Sequence, residues 1–332
     1  MSKAQQYYFT IGIPVYNAQE TITDAILSAQ NQKTNYSYEI VIVDDGSKDA
    51  TSDICKSLSS SSSNISYVKT PNQGPLLARR HISQIAQGKY LIFLDADDMI
   101  RVSTLQKCGE AIDLYHPDIV LFDYSYNSDF TRPHRNSNLA SGLYKDESLI
   151  IARASICKGE SNQLCSKAIR KSLIDLDSDY DTFSMLCHGE DLFQLLPIVD
   201  NAHSFLRMQE CLYYYRQSNL SGTFHYSETQ LSNIDVLKAR LLTYGENWNL
   251  NQEAFQGIIL QYCYLFKILY RDESLPAKVK KKEFQKIRQH IIQCFKDQKA
   301  SLRTFSIPWR LFVYAVINNY SNLIRILVKL SK

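Results

Sequence analysis

The run Asp95-Ala96-Asp97-Asp98 follows the apolar stretch Leu91-Ile92-Phe93-Leu94 directly. Three carboxylates within four residues repel one another, so the arrangement is costly unless a cation neutralises it or water solvates it. Hard oxygen ligands suit Mg²⁺ or Mn²⁺, and a few carboxylates with phosphate oxygens make the usual site. An exposed acidic turn is the other reading of the same residues. Asp44-Asp45-Gly46-Ser47 repeats the theme after another apolar run. There Asp45 could accept hydrogen bonds from a base N–H, or Ser47 could cap the next helix. Gly12-Ile13-Pro14-Val15-Tyr16-Asn17 ends a third run, and Pro14 has no N–H to continue a ladder. Asn72-Gln73-Gly74-Pro75 leads to Arg79 and Arg80, a pair suited to a diphosphate.

The elements that must position these residues alternate. Apolar runs at 8–15, 39–43, 65–68, 90–94 and 118–122 read as strands buried on both faces. Residues 21–30, 51–58 and 76–86 have helical spacing between them. Strand and helix in alternation predict an open α/β sheet with right-handed crossovers, whose ligands bind beyond the carboxyl ends of the strands. Residues 57–63 are nearly all Ser and read as a loop, and the polar stretch 127–141 reads as an excursion from the sheet. Gly189-Glu190-Asp191 opens a helical run. After about residue 228 the chain reads as helical, with Phe284, Ile287, Ile291 and Phe295 on one face.

Taken in order, Ile-Pro-Val-Tyr-Asn, Val-Asp-Asp-Gly-Ser, Asn-x-Gly-x-x-x-Ala-Arg and Phe-Leu-Asp-x-Asp-Asp resemble glycosyltransferase family 2 over residues 7–100. The likeness continues more loosely to about residue 222. Ser166-Lys167-Ala168-Ile169-Arg170 is similar to the lysine-bearing strand before the family's acceptor region. Gly189-Glu190-Asp191 resembles its Glu-Asp motif, and Tyr213-Tyr214-Tyr215-Arg216 resembles its Tyr-x-Tyr-Arg segment. The resemblance implies a GT-A fold: a Rossmann-like, mostly parallel sheet flanked by helices, here with a C-terminal helical extension. It implies a nucleotide-sugar donor and transfer with inversion. Asp45 would contact the base, usually uracil, between backbone near Pro14 and Tyr16. Asp95, Ala96 and Asp97 match the Asp-x-Asp motif, with Asp97 holding Mn²⁺ or Mg²⁺ and Asp98 beside it. Arg79 would lie near the donor, and Asp191 would be the base, with Glu190 as the alternative. Arg80 and Ile82 stand where the family often has Asn and Gly, and His188 reads as structural. Such a transfer builds negative charge on the departing diphosphate, which a metal stabilises, while a carboxylate takes the acceptor's proton.

Bulk properties fit a globular enzyme. The 332 residues are 45% hydrophobic and 21% charged. The net charge of +3 hides an asymmetry: residues 1–228 carry 20 Lys and Arg against 27 Asp and Glu, and the remainder 17 against 7. A division at 228 follows, with a glycosyltransferase domain at 1–228 (donor half 7–100, acceptor half 101–228) and a basic helical region at 229–332. That basic region suits an anionic membrane surface, or packing on the body or a second subunit. The eight Cys have no Cys-x-x-Cys pair and argue against zinc or a disulfide scaffold. No apolar stretch reaches spanning length, and the first residues do not form a secretory signal. The expected setting is cytoplasmic, peripheral on the inner face of the membrane, with a glycan or lipid-linked acceptor and no nucleic acid. Two other functions compete. A nucleotidyltransferase would need a Gly-rich basic loop where Tyr16-Asn17-Ala18-Gln19-Glu20 stands; a non-enzymatic GT-A-like binding module would not need the intact acids.

Overall fold

The computed structural model describes residues 6–330, apart from 136, 177, 179, 184–185, 187, 218–224 and 298–300. The chain divides into two compact units, one of residues 1–153 and 160–217, the other of 154–159 and 218–332.

In the first unit the expected alternation is found. It runs β1 (Tyr7–Val15), α1 (Ile22–Gln30), β2 (Tyr38–Asp44), α2 (Thr51–Ser60), β3 (Ile65–Lys69), α3 (Pro75–Ile85), β4 (Gly88–Phe93), β5 (Met99–Ile100), α4 (Thr104–Tyr115), β6 (Ile119–Ser125), β7 (Gly142–Lys145), α5 (Leu149–Cys157, whose residues from Ala154 on belong to the second unit), β8 (Lys167–Arg170), α6 (Glu190–Asn201) and β9 (Ser204–Tyr214). The strand order is β3-β2-β1-β4-β8-β6-β9-β5, with β7 on β9. The half from β3 to β4 is parallel throughout. Beyond β4 the sheet is mixed: β8 runs antiparallel to both β4 and β6, while β6 and β9 are parallel. The sheet as a whole is mixed, with its longest parallel run at β3-β2-β1-β4. β8 is four residues long, and nothing in its composition reveals its direction.

Local chemistry explains the register. β1 pairs with β2 through Pro14 and Val15, but its pairing with β4 ends at Gly12, short of the residue that lacks an N–H. Gly12 also lets α3 approach β1 closely, since a Cβ there would lie 2.4 Å from Ile82 Cγ2. The serine run is not all loop. α2 extends to Ser60, and the hydroxyls of Ser59, Ser60 and Ser61 donate to carbonyls three residues back, which lets serine cover the last turn. Residues 127–141 hold no strand or helix among those described. The core under the sheet is built from Phe9, Ile11, Ile40, Tyr90, Ile92 and Phe122, all fully buried.

The second unit contains α7 (Glu228–Asn247), α8 (Asn251–Arg271), α9 (Ala277–Asp297), α10 (Ile307–Ile317) and α11 (Ser321–Leu330). Ser227 and Gln230 form a capping box at the start of α7. Phe284, Ile287 and Ile291 of α9 are buried, and Phe295 meets Phe255 edge-on. The final apolar stretch is two helices, broken where Asn319 adopts a left-handed φ of 61°. No helix among the described residues is long and apolar enough to cross a membrane. The seven described cysteines are buried and unpaired.

Candidate active site

The loops that follow β1 and β2 are tied to each other. Asn17, at φ 47°, donates its N–H to Ser47 Oγ at 2.9 Å and accepts from Lys48 N at 2.8 Å. Asn tolerates this left-handed conformation better than most residues. Tyr16 is therefore presented at the rim, 44% exposed, with Pro14 half-buried behind it.

The acids at the end of β2 are satisfied by the chain itself. Asp44 accepts from Ser47 N, Ser52 Oγ and Tyr67 Oη at 2.8, 2.5 and 2.8 Å. Although burial opposes the charge, these bonds hold its carboxyl below the usual range. Asp45 accepts the backbone N–H groups of Gln73 and Gly74, both at 2.8 Å, just before α3 begins. Gly46, at φ 79°, makes this approach possible, for a Cβ there would stand 2.9 Å from Asn72 N. Expected at the nucleotide base, Asp45 is instead 4% exposed with both oxygens engaged by backbone. A polar cavity of about 140 Å³ opens beside it, lined in part by Thr70, Gln73, Arg80 and His81.

The acids after β4 fall into three situations. Asp98 is 2% exposed, and its oxygens accept from Tyr213 Oη at 2.7 Å and Arg216 N at 2.8 Å. Burial and its acidic neighbours push its carboxyl well up. The expectation that Asp98 faces a metal gives way to one in which it anchors β9 to the β4 rim. The Arg216 guanidinium completes that anchor by bonding Asp97 O at 2.7 Å and Asp24 Oδ2 at 2.8 Å. The Asp97 carboxylate, by contrast, accepts no hydrogen bond from another residue among those described, and burial and the nearby Asp95 charge push it up. Among the described residues no three His, Cys, Asp or Glu side chains converge as a metal cage. One unengaged carboxylate does fit a Mg²⁺ or Mn²⁺ that draws its remaining ligands from diphosphate and water. Ala96, between the acids, is half-buried.

Asp95 belongs to the most charged cluster in the unit. Arg79, 6% exposed on α3, lies 2.9 Å from Asp95 Oδ1, 3.2 Å from Asp191 Oδ1 and 3.7 Å from Glu190 Oε1. One guanidinium thus answers three carboxylates. Glu190 and Asp191 occupy the first turn of α6, where the helix N-terminus favours negative charge. Gly189, at φ 77°, turns the chain into that helix. Asp191 Oδ2 accepts from Leu164 N at 3.3 Å, while Oδ1 has only its ionic contact with Arg79. Burial, then the Asp191 charge, pushes the Glu190 carboxyl up to about 8. Burial also raises Asp191, against the pull of Arg79. The two carboxyls titrate as a pair, and Glu190 is the member that burial and its neighbour's charge favour in the protonated form.

The structure brings Arg79, Asp95, Glu190 and Asp191 into contact and sets Asp97 beside them. Lys167, Tyr213 and Arg216 stand in segments that resemble family motifs, but the sequence assigns them no role in the site. The last two lie in the Tyr-Tyr-Tyr-Arg segment, and their partners are over a hundred residues away.

The chain is similar to known glycosyltransferases. The family model described as Glycosyl transferase family 2 matches residues 10–174. The chain is 25% identical over 288 residues to the minor teichoic acid biosynthesis protein GgaB of Bacillus subtilis, covering 82% of this chain. It spans only 30% of GgaB's own length. Among solved structures, residues 1–349 of S. aureus TarS superpose with a TM-score of 0.65 at 19% identity, covering 97% of this chain and 90% of that one. The same TarS fragment has been solved with UDP-GlcNAc. A mannosyltransferase from Pyrobaculum calidifontis, solved with GDP-Man and Mn²⁺, matches at a TM-score of 0.52 and 11% identity. The shared architecture is the GT-A fold.

Proposed function

The chain belongs to glycosyl transferase family 2, and from that premise we propose that it moves a sugar from a UDP-sugar to a hydroxyl of a cell-surface polymer or glycolipid, with inversion. The observation that carries this reading is the cluster of Arg79 with Asp95, Glu190 and Asp191 at the carboxyl rim of the sheet. Asp191 Oδ1 takes the proton of the acceptor hydroxyl. The acceptor oxygen's electron pair then forms the new bond to the anomeric carbon, and the bond to the diphosphate breaks with its pair leaving on the diphosphate. Glu190 stays protonated and so adds no second charge beside the base. Arg79 holds the base in place and offsets charge at the donor. Asp97 would hold a divalent cation, which when bound offsets charge on the leaving diphosphate. Pro14, Tyr16 and Asp45 would wall the base site, Asp45 by fixing the backbone of residues 73 and 74.

The teichoic acid relative and the TarS complex with UDP-GlcNAc support a UDP-sugar and a polymer acceptor. Calorimetric titration with UDP in Mn²⁺, in EDTA, and with GDP as control tests the donor. Metal-dependent UDP binding is expected, and binding of GDP alone would overturn the donor class. For the second unit we propose contact with an anionic membrane. α10 exposes Ile307, Leu311 and Tyr314, and α11 exposes Leu323 and Ile326, in a region carrying 14 Lys and Arg against 4 Asp and Glu over 271–332. Co-sedimentation with phosphatidylglycerol vesicles, and none with phosphatidylcholine, is the expected result.

A further inference from the structure

Lys167 opens β8 and is fully buried. A buried ammonium is expensive unless its charge and protons are answered. Among the described residues it makes no ion pair, and its Nζ donates to the carbonyl oxygen of Gln163. That oxygen belongs to the same peptide group as the N–H of Leu164, which donates to Asp191 Oδ2. A single planar peptide therefore has a cation at its oxygen end and a carboxylate at its N–H end. Each bond polarises the other: the ammonium makes the N–H a better donor, and the carboxylate makes the oxygen a better acceptor.

The surroundings hold this peptide in one orientation. Cys165 bridges to Phe93 at the end of β4. Ser166 takes a left-handed φ of 57° and accepts Phe122 N at 3.1 Å. We propose that Lys167 is the positioning residue for Asp191, acting through the Gln163–Leu164 peptide to aim that carboxylate and keep it ionised. This rests on the reading of Asp191 as the base. The groups that face Asp191 are Arg79 from α3, Asp95 from the end of β4, Glu190 from α6, and Cys165 and Lys167 from the β8 side. Of these, Arg79 and Lys167 alone carry positive charge. Burial brings the Lys167 amine down to about 8, so it remains charged through the neutral range.

The sign follows. Removing the ammonium raises the pKa of Asp191, so the base is protonated, and activity lost, at higher pH than before. The test is the pH profile of kcat/KM for release of UDP from UDP-GlcNAc in the full chain. Lys167→Met should move the acid limb upward by about one pH unit, at the low end for loss of one nearby opposite charge. UDP affinity should be unchanged. Lys167→Arg keeps the charge and should leave the limb in place. If Lys167→Met does not fold, Lys167→Gln, which keeps a donor but no charge, should show the shift. An acid limb that stays put in the folded uncharged variant overturns the proposal, even if overall activity falls. Asp191→Asn separates the two ideas: full activity there removes the base itself, whereas an inactive Asp191→Asn beside unshifted Lys167 variants removes only the role of Lys167.

Discussion

At the end of β2, Asp44 and Asp45 accept five hydrogen bonds from residues of the same unit. At the end of β4 and the start of α6, three carboxylates share one arginine, and the Asp97 carboxylate accepts no hydrogen bond from another residue among those described. Both places are acidic pairs or triplets after apolar strands, and in sequence they look alike. The fold treats them oppositely. The first is closed by hydrogen bonding and builds the loop before α3. The second keeps excess negative charge that only a ligand, a metal or a proton can relieve. An acidic strand end is thus a site when the chain leaves it short of partners, and a joint when it does not.

The contrast can be broken in several ways. Asp191→Asn should reduce transfer by about 10²- to 10⁴-fold, as loss of a general base does, while UDP binding by calorimetry holds. Arg79→Met should leave buried carboxylates unanswered and lower stability by about 3 kcal/mol in denaturant melts, with transfer lost as well. Tyr213→Phe removes the hydroxyl shared by Asp98 Oδ2 and Asp95 N, and about 1–3 kcal/mol of stability should go with it. Asp45→Asn sharpens the comparison from the other side. It should cost about 1 kcal/mol through one mismatched N–H and change turnover less than UDP affinity. A collapse of turnover in a stable Asp45→Asn protein would erase the distinction drawn between the two acidic ends.

The smallest effect concerns Glu190. Its carboxyl is raised from 4.5 to about 8, so the folded state holds a proton that the unfolded chain releases. Stability from this proton is complete below about pH 4.5 and lost as pH rises through 8. Glu190→Gln should flatten that part of the Tm profile and remove any weakening of donor binding above pH 8. Unaltered profiles would mean that the proton resides elsewhere in the cluster.

Much of this was legible in the residues. The strand runs ending at Asp44 and Leu94 are short-range patterns, and so are Gly74-Pro75 at the start of α3 and Gly189 at the start of α6. What could not be read depends on partners distant in sequence. Asp98 and Asp97 are neighbours with identical side chains, yet only the Asp98 carboxylate is bonded by Tyr213 and Arg216, 115 and 118 residues further on. Lys167 stands in a family-like strand, but its link to Asp191 depends on its burial and on the Gln163–Leu164 peptide. The antiparallel direction of β8 depends on the path of residues 126–165, where periodicity is weak. The serine run was misjudged for a physical reason: hydroxyls that usually compete with a helix here bond back to its last carbonyls.

The clasp of Tyr213 and Arg216 on Asp98 also sets a timetable. A ribosome makes β1 to β4 within the first hundred residues, and of these strands only β4 also pairs with a later one, β8. The acids after β4 must then wait for β9, more than a hundred residues later, before their anchor exists. A chain stalled near residue 200 would carry a formed parallel half and an unanchored acidic rim. The donor side of this protein can therefore mature while it is still being synthesised, but its chemistry begins only after the last strand has arrived.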